Sequence, residues 1–429
     1  MERVTTLAAE IRAPAATNRR MLAAGALIAF GLVDILIFGL FSHKGEASFA
    51  LSLTGASVTV PTIHAPGYVV YILGAASIAI GIARAMPIRM SPGWRRLAIG
   101  LVLLFFVICL LIWSDTGSWT HGIPVNVVTL LQATLAGSIP LILGALAGCM
   151  GERAGVINIA IEGQLLLGAF MAAIVASTVG VVWLGLIGGS LAGGLVGLVL
   201  AAFAIRFFVD QIILGVVLNL LISGITGFLY DRLMQPNAQT YNSASTFSTL
   251  KIPGLGDIPI IGPIFFDSTI FLYITYVAII LVQIGLFSTR WGLRVRAVGE
   301  HPTAADTVGI NVLGIRYRNL VLGGLLAGIG GAYLTIGSVG TFSKDMSSGL
   351  GYIALAAMIF GRWTPLGATA AALLFGFATA LGNFLGTITV PISPALLAMA
   401  PYAATIVAVA GLVGRVRAPA ADGRPYVRA

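Results

Sequence analysis

The sequence predicts an all-α polytopic membrane protein with about ten to twelve transmembrane helices, some of them broken or re-entrant. Hydrophobic residues make up 58% of the chain and charged residues 9%. An ordinary soluble domain contains about 25% charged residues, so most of this surface is unsuited to water. The apolar residues form continuous runs and do not alternate as in a transmembrane β-barrel. Helices are therefore expected, because they satisfy backbone hydrogen bonds within each span.

The glycine content supports the same class. The chain contains 54 glycines, which would weaken the helices of a soluble protein. Membrane helices tolerate them, since small residues allow two backbones to approach closely. Gly188, Gly189, Gly193 and Gly194 illustrate such a face, and we expect them to serve in helix packing.

Twelve apolar segments are candidates for membrane spans. They lie near residues 21–41, 67–86, 97–113, 125–149, 157–177, 181–203, 211–230, 269–287, 320–337, 349–360, 367–385 and 395–413. The segment 349–360 has about 12 residues, too few to cross a bilayer at about 1.5 Å per residue. It is predicted to be a broken or re-entrant helix.

The positions of lysine and arginine predict that both termini are cytoplasmic. With a cytoplasmic N-terminus and alternating crossings, all but four of the 24 Lys and Arg residues lie on the inner side. The four exceptions are Lys44, Arg232, Lys251 and Lys344. The same bias accounts for the net charge of +9. No nucleic-acid partner is expected, because the arginines flank apolar spans and form no stripe on a soluble fold.

Three regions are predicted along the chain. Residues 1–120 form an N-terminal extension with about three transmembrane helices and an outer loop at 42–66. Residues 121–415 form the core, with an outer loop at 231–267 and a cytoplasmic loop at 289–318. Residues 416–429 form a cytoplasmic tail. The outer loop at 231–267 is interpreted either as a docking surface for an external partner or as an ordinary connection.

The cytoplasmic loop is predicted to contain a short helix outside the membrane. Pro302 suits the first turn of a helix that runs through Thr307, and Gly309 is suited to end it. Arginines on both sides should hold this helix against the inner membrane surface, with its small residues free for a partner. The alternative is a plain basic loop that serves only to orient the chain.

Three polar residues interrupt an apolar run in the core. Asn158 and Glu162 are four residues apart, which predicts a shared helical face, and Gln164 follows. A carboxylate is costly in a bilayer, so Glu162 should face a cavity or a partner. These groups are candidates to hydrogen-bond a polar solute that passes through the membrane. Alternatively, they form a hydrogen-bonded cluster that holds the bundle together.

The short segment 349–360 is the second candidate for the substrate pathway. Paired broken helices near the membrane midplane often build a transport site, because freed backbone groups line the cavity. Tyr352 and Phe360 are candidates to pack against a flat part of the solute, or they belong to the packed core of the bundle.

Three segments carry a resemblance to a known family. They read GERAGVINIAIEGQLLLGAF from Gly151, GLRVRAVGEHPTAADTVGINV from Gly292 and GLGYIALAAMIFGRWTPLGA from Gly349. In this order they resemble permeases of the ATP-binding-cassette (ABC) importers for branched-chain amino acids, ribose and nucleosides. The resemblance covers residues 125–413, and the first 120 residues depart from the family pattern. The first segment is most similar to nucleoside permeases served by a basic-membrane-protein-type lipoprotein.

The resemblance implies a type II ABC importer-like fold in the plasma (inner) membrane of a bacterium. It also implies a cytoplasmic ABC ATPase, an extracytoplasmic substrate-binding lipoprotein and a second permease subunit. That subunit is expected to be a different chain, although the sequence leaves a pair of identical chains open. Nucleosides are the expected substrate. The residues implied to couple with the ATPase are Glu300, His301, Pro302, Ala304, Ala305 and Gly309.

The sequence also bears on energy supply and on alternative functions. It contains no G-x-x-x-x-G-K-[ST] motif, so the partner ATPase is expected to use the ATP, and no cofactor, metal or enzymatic site is expected in this chain. Permeases for simple sugars or branched-chain amino acids remain alternatives. An ion-coupled secondary transporter usually has several ionisable residues in its spans, whereas Asp34 and Glu162 are the clear cases here.

Overall fold

The computed structural model describes residues 20–40, 45–53, 60–86, 91–116, 124–388 and 417–427, with residues 390, 392, 393, 396 and 399. Within these residues, nine helices are long and apolar enough to cross a membrane. They are α1 (Arg20–Gly39), α3 (Gly93–Thr116), α4 (Val127–Arg153), α5 (Ile161–Val179), α6 (Val182–Arg206), α7 (Gln211–Met234), α10 (Ile270–Ser288), α13 (Val312–Val339) and α15 (Pro365–Thr387). The polytopic helical class is therefore confirmed, while the sidedness of the termini stays a prediction.

Six shorter helices complete the helical part of the described residues. Two are apolar, namely α2 (Val69–Ala85) and α14 (Leu350–Phe360). The others are α8 (Ala238–Tyr241), α9 (Ile261–Phe266), α11 (Arg290–Glu300) and α12 (Pro302–Thr307). Helix α14 has 11 residues. Its length confirms the predicted short helix in this segment. The predicted span at 395–413 lies outside the described residues except at positions 396 and 399.

Two small sheets lie in the connections between helices. Strand β1 (Glu46–Ala50) pairs antiparallel with β2 (Ile63–Pro66) and parallel with β3 (Val125–Asn126). Strand β4 (Thr249–Lys251) pairs antiparallel with β5 (Asp267–Thr269). These strands are short and belong to the polar segments, so they leave the helical class unchanged.

The chain forms two compact units, Met1–Thr129 with Asn383–Leu397, and Leu130–Gly382 with Ala398–Ala429. In the first unit, α1 packs closely against α2. A Cβ atom on Gly31 would lie 2.6 Å from the carbonyl oxygen of Gly74, so glycine is needed at this crossing. The predicted regional boundary at residue 120 stays a prediction.

Asp34 occupies a π-helical turn of α1. Its side chain is fully buried, and neither carboxylate oxygen has a hydrogen-bond partner among the described residues. A buried acid in a membrane helix is a functional candidate by its cost alone. The contacts described around Asp34 assign it no role.

In the second unit, α5, α6 and α13 pack against one another through small residues. A Cβ atom on Gly168 would lie 2.6 Å from the carbonyl oxygen of Gly328. The equivalent atom on Gly189 would lie 2.7 Å from the carbonyl oxygen of Gly168. Glycine therefore permits backbone-to-backbone contact between all three helices, and the predicted packing role is confirmed.

Candidate functional site

Helices α5 and α14 begin at the same place, and Glu162 joins them. Its Oε1 accepts hydrogen bonds from Ser347 Oγ at 2.6 Å and from the backbone N–H of Gly349 at 2.8 Å. Its Oε2 accepts a hydrogen bond from the backbone N–H of Gly351 at 2.6 Å. Backbone N–H groups in the first turn of a helix have no partner within the helix, and the helix dipole favours a negative charge there. Glu162 therefore caps α14 from α5.

Gly351 makes this cap possible. A Cβ atom at this position would lie 2.5 Å from the Cα atom of Glu162 and 2.8 Å from its Oε2. Any larger residue would separate the first turns of the two helices. Gly349 precedes the helix with φ 84°, a left-handed conformation that favours glycine.

Asn219 of α7 ties the same two helices to a third. Its Oδ1 accepts a hydrogen bond from the backbone N–H of Gly163 at 2.8 Å. Its Nδ2 donates to the carbonyl oxygen of Ile159 at 2.9 Å and to the hydroxyl of Tyr352 at 3.2 Å. The three helices α5, α7 and α14 thus meet at one polar junction, defined here by Glu162, Asn219 and Tyr352.

The other end of α14 is bound to the end of α4. Arg153 donates from Nε to the carbonyl oxygen of Trp363 at 2.8 Å and from Nη2 to that of Arg362 at 3.1 Å. The indole N–H of Trp363 donates to Glu152 Oε2. Charged residues therefore hold this short helix at both ends, which gives it a defined position despite its length.

The structure places Asn158 and Gln164 away from any open surface. Both side chains are fully buried and hydrogen-bonded to each other, with Asn158 Nδ2 3.2 Å from Gln164 Oε1 and Gln164 Nε2 3.4 Å from Asn158 Oδ1. The prediction that Asn158 and Glu162 share a helical face is wrong. Helix α5 begins at Ile161, so Asn158 lies in the non-helical segment before it.

Replacing either member of this pair should destabilise the protein. Asn158→Leu and Gln164→Leu each leave one buried amide without its partner, at an expected cost of about 1–3 kcal/mol. The double substitution removes both polar groups, so it should cost less than the sum of the two single changes. Unfolding of the four purified proteins, followed by heat in detergent, measures this. Additive losses would show that the two amides do not depend on each other.

The two aromatic candidates differ in their surroundings. Tyr352 is 47% exposed and presents its ring beside the polar junction. Phe360 packs edge-to-face on Phe375, with ring centroids 5.6 Å apart, at the hydrophobic core of the second unit. Tyr352 is therefore the one of the two that is open to a ligand.

Several residues of the site were missed in the sequence. Ser347, Glu152 and Asn219 are not among the residues that the sequence predicts for the site. The run of two serines and a glycine before a short apolar helix is a signal for a helix start. Glu152 carried the same signal as Glu162, a carboxylate next to a membrane span.

The predicted helix in the basic loop is present as α12. Pro302 is its first residue, and Gly309 follows its end with φ 82°. Ala304 and His301 are exposed, whereas Ala305 is 4% exposed and packs with a small core cluster. The two alanines predicted to serve a partner therefore point in different directions.

Helix α11 holds α12 close to the ends of the membrane helices. The guanidinium of Arg296 lies 5.2 Å from the ring centroid of Phe287 in α10, and that of Arg318 lies 5.9 Å from the ring centroid of Trp291. Cation–π contacts of this kind anchor basic side chains on aromatic faces. Glu300 accepts a hydrogen bond from the backbone N–H of Ala420 at 3.2 Å.

No group of three or more His, Cys, Asp or Glu side chains is arranged to hold a metal ion within the described part of the chain.

A polytopic helical bundle in which the starts of two helices meet at an acidic residue is typical of membrane transport proteins. Sequence comparison then gives the family. The chain belongs to the family described as "Branched-chain amino acid transport system / permease component", whose profile matches residues 130–413. It is thus a multi-pass inner-membrane permease of an ABC importer, a transport component that works with an ATPase and a substrate-binding protein. The family resemblance predicted from the three segments is confirmed.

Three individual transport proteins are similar to this chain. The chain is 42% identical to the guanosine ABC transporter permease protein NupQ of Bacillus subtilis, over 70% of this chain and 96% of NupQ. It is 39% identical to the nucleoside ABC transporter permease protein NupC of Lactococcus lactis, over 71% of this chain and 99% of NupC. It is 35% identical to the putative glucose ABC transporter permease protein TsgC13 of Haloferax volcanii, over 59% of this chain and 76% of TsgC13. No solved structure matches the chain.

Proposed function

We propose that this permease moves nucleosides into the cytoplasm. The observation that carries the proposal is its similarity to NupQ and NupC over nearly the whole length of both relatives. The glucose relative is less similar and is covered over a smaller part of its length. Sugars are therefore the second candidate, and branched-chain amino acids have no support among these three relatives.

The substrate pathway in this proposal runs past the polar junction of Glu162, Asn219 and Tyr352. The exposed ring of Tyr352 is the surface for a nucleobase, because an aromatic face can stack on any base. Glu162 acts by keeping the start of α14 in place. Asn158, Gln164 and Phe360 support the pathway from the interior.

The energy enters through α12 in this proposal. The exposed face of α12, which includes Ala304, lies in a loop that the arginine distribution assigns to the cytoplasm. The partner ATPase binds that face of α12. It also binds and hydrolyses the ATP, since this chain supplies no ATPase site in the proposal. His301 is exposed beside α12 and belongs to the same surface.

Two further partners complete the proposed importer. A second permease subunit, expected to be a different chain, forms the other half of the pathway. A substrate-binding lipoprotein docks on the outer loops, where the exposed side chains of Leu250, Leu255 and Ile261 offer apolar contact area.

Uptake by the native host tests the substrate. Deleting the gene should lower the uptake of radiolabelled guanosine at least about tenfold, because the importer loses its pathway. Reintroducing the gene should restore uptake. Unlabelled nucleosides should compete with labelled guanosine, and glucose and leucine should not. Loss of glucose uptake with normal guanosine uptake would contradict the nucleoside assignment and favour the sugar alternative.

A further inference from the structure

Residues 417–427, called the tail strap here, bind the end of α11. The backbone N–H of Ala421 donates to the carbonyl oxygen of Gly299 at 2.9 Å. The neighbouring N–H of Ala420 donates to Glu300 Oε2 at 3.2 Å. Ala421 is 5% exposed. The first part of the strap is therefore joined to the segment that leads into α12.

The second part of the strap binds α12 and α13. The hydroxyl of Tyr426 donates to Asp306 Oδ2 at 2.8 Å, and its ring belongs to the core cluster that includes Ala305. Arg316 Nη1 donates to the carbonyl oxygen of Arg424 at 3.0 Å. The strap thus covers the inner face of α12 and leaves the face with Ala304 exposed.

The strap also contacts the connection between α4 and α5. A Cβ atom on Gly155 would lie 3.3 Å from the carbonyl oxygen of Ala421. A Cβ atom on Gly423 would lie 2.7 Å from Ile157 Cδ1. This connection leads directly into the start of α5 and hence to Glu162. The strap therefore lies between α12 and the chain segment that carries the polar junction.

Two carboxyl groups meet where the strap docks. The side chains of Asp422 and Glu152 lie within reach of a hydrogen bond to each other, and Glu152 is 4% exposed. A carboxylate can only accept hydrogen bonds, so two carboxyl groups can bond to each other only when one carries a proton. A proton on this pair therefore favours docking of the strap.

One cation balances the pair. The side chain of Arg316 is 1% exposed and attracts Asp422. Its Nε and Nη2 atoms have no hydrogen-bond partner among the described residues, nor has Asp422 Oδ1. A single buried guanidinium neutralises one carboxylate, and a second ionised carboxylate would be left uncompensated at a high cost.

Burial raises the pKa of Asp422 to about 7, although the hydrogen bonds from Glu152 and the backbone of Gly423 and the charge of Arg316 each lower it. An exposed aspartate has a pKa near 3.8. At any pH between these two pKa values, docking of the strap takes up a proton. The docked state therefore becomes less stable as the pH rises from 3.8 to about 7. Besides Asp422, the charged and titratable groups of the strap and of the elements packed against it (α4, α11, α12, α13 and the residue between α11 and α12) are Cys149, Glu152, Arg153, Arg290, Arg294, Arg296, Glu300, His301, Asp306, Arg316, Tyr317, Arg318, Tyr333, Arg417, Arg424 and Tyr426.

We propose that the tail strap is a proton-dependent lock, which joins helix α12 to the α4–α5 connection while the Glu152 and Asp422 pair holds a proton and releases them when the proton leaves. The consequence for transport rests on the proposed function, in which α12 receives the force of the ATPase. With the strap docked, a movement of α12 reaches the start of α5 through packed side chains. With the strap released, that path is lost.

Cysteine labelling tests the lock in the assembled transporter. Ala421→Cys places a thiol in the docked face, and Val427→Cys, at a position that is 70% exposed, is the matched control for the effect of pH on thiol reactivity. The native Cys109 and Cys149 are buried. The ratio of the two maleimide labelling rates should rise about tenfold for each pH unit up to about pH 7.

The Asp422→Asn background gives the decisive comparison. An amide donates a hydrogen bond to Glu152 without a titrating proton and leaves one carboxylate to balance Arg316. The labelling ratio should therefore stay low and constant between pH 5.5 and pH 8. A constant ratio in the parent protein, or an equal rise in Asp422→Asn, would overturn the proposal.

Hydrogen exchange of residues 417–427 in the unmodified protein guards against disruption by the new cysteine. Protection should fall over the same pH range after correction for intrinsic exchange, and unchanged protection would overturn the lock. The proposed function has a separate test in the Ala304→Glu variant, because Ala304 lies on the face of α12 that the strap leaves exposed. Full uptake by this variant would contradict the proposed function. A pH-dependent strap together with full uptake by Ala304→Glu would leave the lock standing and remove the coupling role of α12.

Discussion

Replacing Ala304 by Glu is expected to lower ATP-driven uptake at least about tenfold, because the new carboxylate would be buried without a partner in the contact proposed between α12 and the ATPase. Ala304 is exposed, so the isolated permease should fold and insert normally. Uptake in cells, together with the amount of inserted protein, measures the effect. Normal uptake with normal insertion would exclude this face of α12 from the ATPase contact.

Two other substitutions make the result specific. Ala305→Glu places a carboxylate in the cluster of Val298, Val312 and Tyr426, so the amount of folded protein should fall together with uptake. Ala238→Glu changes an exposed alanine of α8, in the loop assigned to the other side of the membrane. It should leave the amount of inserted protein unchanged, and also the ATPase activity of the assembled transporter measured without the binding protein. The three variants separate a lost partner contact from misfolding and from a general effect of added charge.

Replacing Glu162 by Ala is expected to reduce both uptake and stability. The carboxylate accepts three hydrogen bonds, from Ser347, Gly349 and Gly351. Removing it leaves the first turn of α14 without acceptors, which should cost about 3 kcal/mol or more, since hydrogen bonds to a charged group are worth about 1.5–3 kcal/mol each. Thermal unfolding in detergent and stimulation of the ATPase by loaded binding protein are the measurements.

The controls address the chemistry of the cap. Glu162→Gln keeps one acceptor oxygen but turns an N–H donor toward part of the cap. Its thermal stability and its stimulation of the ATPase should therefore lie between those of wild type and Glu162→Ala. Asp231→Ala removes a carboxylate whose ion pair with Lys344, at 2.7 Å, is exposed. It should cost at most about 1 kcal/mol. If Glu162→Ala unfolds and transports like wild type, the carboxylate has no part in placing α14.

Much of the fold follows from local sequence. Continuous apolar runs predicted the membrane helices because a bilayer leaves few other ways to satisfy the backbone. The glycines at 188, 189, 193 and 194 predicted close packing because a side chain of any size would separate the helices. The proline and glycine around α12 predicted its limits, since these residues restrict the backbone locally.

The candidate site was harder to predict because it depends on contacts between distant segments. The bond from Glu162 to Gly349 joins residues 187 positions apart. The start of α5 at Ile161 separates Asn158 from the helical face that its spacing suggested. The pairing of Asn158 with Gln164 and the burial of Ala305 follow from which elements pack against them. No pattern within either segment specifies those neighbours.

Local sequence is enough to predict the membrane environment, the approximate helix lengths and the family of this protein, because hydropathy, backbone restriction and short motifs act over a few residues. Which polar groups remain open and which are bound depends instead on the packed structure. It turned Glu162 into a helix cap, left Tyr352 exposed and placed Asp422 against Glu152. Those outcomes depend on the approach of segments far apart in the chain, which hydrogen bonding and burial settle only once the helices are packed.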